Sequence, residues 1–133
     1  MTASILIVED ETFVALDMEL ILEARGYRVI GIAADLVGAR AFAHEQIDLA
    51  LVDLNLRDGL TGPQIGEWLA KEQNASVLFL TANPKLLGTG VAGTIGVLTK
   101  PTDESALTAA VEFALRRRQG QATSAPPSLR CFG

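Results

Sequence analysis

Four apolar runs in this chain end on residues able to handle a phosphoryl group. Glu9 and Asp10 follow residues 4–8, Asp53 follows 49–52, Thr81 follows 77–80, and Lys100-Pro101 follows 95–99. If the runs are parallel strands, their C-terminal ends lie side by side, so an acidic cluster, a hydroxyl and an ammonium meet in one crevice. Two carboxylates about 4 Å apart repel by roughly 4 kcal/mol at an effective dielectric near 20. Glu9, Asp10 and Asp53 therefore need either a proton or a bound cation. Hard oxygen donors suit Mg2+ or Mn2+, whereas the one His and one Cys of the chain leave no ligand set for Zn2+. Lys100 adds a second positive charge, able to balance the cluster without metal and to grip a phosphoryl oxygen.

The elements that must position these groups alternate along the chain. Ser4–Val8 is continuous and β-branched-rich, as a strand buried on both faces requires. Phe13, Leu16, Leu20 and Ala24 recur at helical spacing through residues 11–25, with Glu11 and Thr12 as start signals and Gly26 as a stop. A strand at 27–32 follows, then Asp35 caps a helix expected from Leu36 to about Glu45, with Val37, Ala41 and Phe42 inward. Residues 48–52 read as a strand, and 55–62 as turn chemistry rich in Gly, Asp and Asn. Pro63 suits the first turn of a helix reaching about Gln73. Beyond the strand at 77–80, Gly88, Gly90 and Gly93 each cost roughly 1 kcal/mol in a helix interior, so the fourth helical segment is expected to be short or frayed. A strand at 95–98 and an amphipathic helix at 103–118, with Leu107, Val111 and Ala114 inward, complete the pattern.

Five strands alternating with five helical segments predict an α/β, doubly wound parallel sheet covered on both faces. One domain is expected over 1–118. Residues 119–133 turn Gly/Ser/Pro/Gln-rich and aperiodic, which predicts a disordered tail. A net charge of -5 over 133 residues argues against nucleic acid or an anionic membrane as partner, since both require a positive surface. No basic, apolar leader and no run near the roughly 18 residues of a membrane span is present, and the lone Cys131 cannot pair internally, so a cytoplasmic protein is expected. His44 reads as a solvent-facing helix residue, Trp68 as packing beside Ile65 and Leu69, and Arg116, Arg117 and Arg118 as complements to a helix C-terminus.

The segments Ile-Leu-Ile-Val-Glu9-Asp10-Glu11, Leu-Val-Asp53-Leu-Asn55-Leu, Phe-Leu-Thr81-Ala82 and Leu-Thr-Lys100-Pro101 resemble the motifs of the response-regulator receiver domain of two-component signalling. Within that family the chain looks most similar to receivers of alphaproteobacterial general-stress-response circuits. The resemblance covers residues 4–118 and implies a flavodoxin-like fold with strand order 2-1-3-4-5, an order that also serves as a standard illustration of the switch-point rule.

It further implies that Asp53 accepts a phosphoryl group from a phosphohistidine on a sensor histidine kinase or histidine phosphotransfer protein. Asp10, Asp53 and the backbone carbonyl of Asn55 would hold Mg2+ (or Mn2+), with Glu9 acting through water. Lys100 would neutralise the transferring phosphoryl, and Thr81 would hydrogen-bond it once installed. Asn55 and Asn83 would flank the path of the hydrolytic water, and Lys100-Pro101 would be cis.

Two positions depart from the family pattern. Val97 stands three residues before the lysine, where the family usually has Tyr or Phe, which excludes an aromatic switch at that site. The Gly-rich stretch at 83–94 weakens the fourth helix, so activation is expected to order or displace that segment. The expected function is a single-domain response regulator, a phosphoacceptor and not an enzyme beyond self-phosphorylation and self-dephosphorylation. It would act through a downstream protein partner or as a phosphate sink, as a monomer or weak dimer. The alternatives are a phosphorylation-independent pseudo-receiver, against which the intact Asp10, Asp53 and Lys100 argue, and a haloacid-dehalogenase-type phosphatase. The latter wants a second aspartate where Asn55 stands.

Overall fold

Alternate side chains of a buried parallel strand point to opposite faces of its sheet, so each strand here feeds two cores. The computed structural model describes residues 2–132. Met1 and Gly133, the outer ends of the expected domain and tail, lie outside the described residues. The order is β1 (Ser4–Val8), α1 (Thr12–Ala24), β2 (Arg28–Ala33), α2 (Leu36–Arg40), β3 (Leu49–Asp53), α3 (Gly62–Glu72), β4 (Ser76–Thr81), a 3-10 helix (Pro84–Leu87), β5 (Gly96–Thr99), α4 (Glu104–Arg118) and β6 (Leu129–Cys131). Ile5, Ile7, Leu49, Leu51, Leu78 and Leu80 face one core with α1 and α4. Leu6, Val8, Ala50, Val52, Val77 and Phe79 face the other with α2 and α3.

The sheet runs β2-β1-β3-β4-β5-β6. Its first five strands are parallel and follow the expected 2-1-3-4-5 order. The sixth corrects the reading of residues 119–133 as a disordered tail. β6 pairs antiparallel with β5, through Gly96↔Cys131, Val97↔Arg130 and Leu98↔Leu129. Gly96 permits this approach, because a Cβ there would overlap the Arg130 carbonyl oxygen. The low-complexity stretch before β6 hid a strand only three residues long, too short to show a period.

Two helix faces also differ from expectation. Phe13 is 87% exposed and Leu20 67%, and Leu16 is exposed as well, whereas Ala15, Met18 and Leu22 are buried, with Val14 and Ile21 packed against the same core. α1 is apolar almost all round. The stripe of five (Val14, Ala15, Met18, Ile21, Leu22) is wider than the predicted one, and the wider stripe faces the core. Asp35 caps α2 as expected, accepting from the Gly38 N–H at 2.8 Å, but α2 is only five residues long. It tightens into i to i−3 turns that carry Phe42, Ala43 and Glu45. Val37 and Ala41 point to solvent, and Phe42 alone of the expected trio packs inward. Asp103 caps α4 by accepting from the Ala106 N–H at 2.7 Å, and Leu107, Val111 and Ala114 are buried as expected.

The fourth helical segment is indeed short. One 3-10 turn is followed by Gly88, Gly90 and Gly93, all at positive φ, a conformation in which a side chain is strained.

The end of β3 is held from below by α3. The Gly62 N–H donates to the Leu54 carbonyl at 3.0 Å, and a Cβ on Gly62 would overlap the Asp53 carbonyl oxygen and crowd the Leu54 α-carbon. Gly62→Ala is therefore expected to destabilise the fold by about 1–3 kcal/mol, read as a lower urea midpoint at unchanged slope. An unchanged midpoint would show that the turn absorbs the methyl group.

Candidate functional site

Because β1, β3, β4 and β5 are neighbours, their C-terminal ends share one edge of the sheet. Glu9 directly follows β1, and its N–H donates to the Ala33 carbonyl of β2 at 2.8 Å. Asp53 is the last residue of β3, paired with Leu80, and Thr81 ends β4, paired with Thr99. The Lys100 N–H donates to the Thr81 carbonyl at 2.8 Å, carrying the β4–β5 ladder one residue further. Backbone pairing thus sets the heights from which all four groups project.

Carboxylate oxygens of Glu9, Asp10 and Asp53 lie within 4.8 Å of one another. The Lys100 ammonium bridges two of them, donating to Glu9 Oε1 at 2.6 Å and to Asp53 Oδ2 at 3.1 Å. The remaining oxygens of this pair take backbone donors: Asp53 Oδ1 accepts from Leu54 N–H at 2.7 Å, and Glu9 Oε2 from Glu11 N–H at 3.2 Å. Asp10 is exposed, while Glu9 and Asp53 are buried.

Burial pushes the Glu9 carboxyl up to about 7. The Lys100 and Glu11 hydrogen bonds oppose this rise, and the Asp53 charge adds to it. Burial works in the opposite sense on Lys100, but hydrogen bonds to Glu9 and Asp53 outweigh it and hold the ammonium above its ordinary value. Lys100 is a fixed cation at neutral pH. One such charge does not balance three carboxylates, and the exposed Asp10 leaves a side open to water. The donor set, hard oxygens with room for water ligands, fits Mg2+ or Mn2+.

Thr81 is 2% exposed, and its Oγ1 accepts from the Asn83 N–H at 3.0 Å. Asn55 is exposed in the loop beyond Asp53. The Lys100-Pro101 peptide is cis, as expected.

Sequence reasoning gave Asp58 only a turn role. Its Oδ1 accepts from the Thr61 hydroxyl at 2.6 Å and its Oδ2 from the Leu36 N–H at 3.1 Å, tying the loop after Asp53 to the start of α2. The Thr61 hydroxyl holds the Asp58 carboxyl below its usual range against an opposing effect of desolvation, with the Leu36 N–H assisting. An aspartate three residues before a threonine, in a stretch of turn residues, is the signal that could have found this brace.

The family model of the response regulator receiver domain matches residues 5–112, and the chain belongs to that family. It is 38% identical over 92 residues to the phyllosphere-induced regulator PhyR of Methylorubrum extorquens, which covers 68% of this chain and 34% of that protein. The crystal structure of the response regulator PhyR from Brucella abortus superposes with a TM-score of 0.80 at 29% identity, over 90% of this chain and 50% of that one. A mutant of the anti-anti-sigma factor PhyR from Bartonella quintana gives 0.79 at 25% identity, over 90% and 51%. The likeness to alphaproteobacterial general-stress receivers is thus borne out. The chain spans between a third and a half of the length of these relatives.

If Asp10 belongs to a cation site, Mg2+ at 100 times its dissociation constant should stabilise the wild type by about 2.7 kcal/mol, seen as a rise in Tm. Asp10→Asn, relieved of one repulsion, is expected to melt higher than wild type without Mg2+ and to gain nothing from it. An equal Mg2+ response in both proteins would remove Asp10 from the site.

Proposed function

We propose that this receiver is phosphorylated on Asp53 by a phosphohistidine of a sensor histidine kinase or histidine phosphotransfer protein, and that the acyl phosphate changes its contacts with a downstream protein. The observation that carries this reading is the Lys100 ammonium, hydrogen-bonded to both Glu9 and Asp53 at the open end of the sheet. It is the arrangement of an acceptor carboxylate with its charge-neutralising partner already in place.

In the reaction an Asp53 carboxylate oxygen forms a bond to phosphorus as the phosphorus–nitrogen bond breaks, and the departing imidazole keeps the electron pair and takes a proton. Asp10, Asp53 and the backbone carbonyl of Asn55 would hold Mg2+, with Glu9 acting through water. When bound, the ion supplies charge neutralisation for the phosphoryl oxygens. Lys100 exchanges its contact with Asp53 for a phosphoryl oxygen and lowers the barrier electrostatically. Thr81 turns its hydroxyl to another phosphoryl oxygen. Asn55 and Asn83 border the approach of the water that later hydrolyses the acyl phosphate.

The partner's docking surface lies beside the crevice. A pocket of about 610 Å3 between α1 and the start of α4 is lined by Phe13, Val14, Met18, Leu80, Lys100 and Pro101, among others. Phe13, Leu16 and Leu20 extend apolar surface along α1. This surface fits an apolar helix that presents its histidine to Asp53. Among the described residues no helix is long and apolar enough to cross a membrane.

Incubation with acetyl phosphate and Mg2+ is expected to give an acid-stable, alkali-labile phosphate on the wild type and none on Asp53→Ala. Lys100→Ala should label more slowly by on the order of 100-fold. Equal labelling of wild type and Asp53→Ala would sink the proposed acceptor, and no labelling of either would favour a pseudo-receiver.

A further inference from the structure

The segment at 84–93, where the family's fourth helix would stand, packs Leu87 and Val91 against the core but is hydrogen-bonded to itself more than to the fold. Its internal bonds are short-range, among them Gly88 N–H to the Lys85 carbonyl, Gly90 N–H to Leu87 and the Thr94 hydroxyl to Val91. Among the described residues, the hydrogen bonds that tie 84–93 to another element both come from Arg130. Its Nη1 donates to the Gly88 carbonyl at 2.9 Å and its Nη2 to the Pro84 carbonyl at 3.0 Å. One guanidinium therefore clamps both ends of the 3-10 helix.

Phe132 completes the hold. Its N–H donates to the Ile95 carbonyl at 2.9 Å. Its ring lies 6.3 Å from that of Phe79, and the Arg130 guanidinium sits 5.5 Å from its centroid. A Cβ on Gly90 would collide with the ring, so the glycine loop is shaped around it. The Val97↔Arg130 register puts Val97, Arg130 and Phe132 on one face of the sheet. The ring missing at position 97 is thus supplied by the residue that follows the neighbouring strand.

The segment also begins close to the proposed phosphate sensor. Thr81 Oγ1 holds the Asn83 N–H, and the next residue, Pro84, carries a carbonyl gripped by Arg130. A rotation of Thr81 toward Asp53 pulls directly on that clamp.

We propose that residues 129–132 form a releasable strap, which pins 84–93 to the β5 edge in the unphosphorylated protein and lets go when Thr81 engages a phosphoryl group on Asp53. The trigger rests on the proposed phosphorylation of Asp53; the strap itself does not. Its release bares the β5 edge and frees the segment.

Amide exchange of the full chain with and without Mg2+ and beryllofluoride tests both parts, with binding followed separately by fluorine NMR. Without beryllofluoride, Arg130→Ala is expected to speed exchange at Leu86, Gly88, Gly90 and Phe132 about tenfold, the worth of one charge-assisted hydrogen bond. Phe132→Ala should do the same at Gly90. Unchanged exchange in both variants overturns the strap. Bound beryllofluoride should speed the same amides in wild type, add nothing in Arg130→Ala, and have no effect on them in Thr81→Ala. Bound beryllofluoride with unchanged or slower exchange in wild type overturns the release, whereas absence of bound beryllofluoride overturns the Asp53 reading and the trigger with it.

Discussion

Three carboxylates at the ends of two adjacent strands repel one another, and one ammonium holds two of them together. Lys100 and Glu9 are 91 positions apart in the chain and 2.6 Å apart in the fold. The contact requires β5 to lie two strands from β3 and three from β1 on the correct side, with its end at the height of Asp53. Ladder hydrogen bonds supply that height, since Lys100 N–H is fixed to the Thr81 carbonyl and Glu9 N–H to Ala33. Buried charges cost desolvation that only close partners repay. The raised pKa values of Glu9 and Lys100 express this: burial penalises the glutamate's charge, and the carboxylates favour the lysine's.

The sheet and the gathering of Glu9, Asp10, Asp53 and Lys100 at one edge of it could be read from the sequence for one physical reason. A parallel strand buried on both faces is written as an uninterrupted apolar run, and the polar residues of the candidate site stand where each run stops. Glu9, Asp10, Asp53, Thr81 and Lys100 needed no long-range information beyond strand order. The rotation of α1 did need it. Phe13, Leu16 and Leu20 form a regular helical stripe, but so do their neighbours, and only the breadth of the buried set decides which faces inward. The strand β6 was illegible because three residues carry no period, and because its partner's signal is an absence, the missing side chain of Gly96.

The Asp53 end of β3 and the segment after Thr81 are built to different tolerances. Asp53 is fixed by a buried strand, by the Leu54 N–H, by Lys100 and by a glycine packed against its carbonyl. Residues 84–93 have a single 3-10 turn, three glycines at positive φ and tethers from one exposed arginine. Local opening follows such differences: segments with few buried contacts and exposed hydrogen bonds open at far lower free energy than core strands. A rigid strand end and a loosely tethered segment thus stand side by side, so the segment can open without disturbing the sheet.

Val97 then has an explanation that the family pattern alone does not provide. The core between β4, β5 and the 84–93 segment already holds Phe79 and receives Phe132 from outside. Interiors are packed to near-crystalline density, so another ring at position 97 would have to displace one of these two. A buried valine there and a glycine at position 90 are complementary: each is small where the Phe132 ring must fit. The absence of an aromatic from β5 and the presence of one just after β6 are two sides of one packing solution, which places the ring at the edge of the sheet.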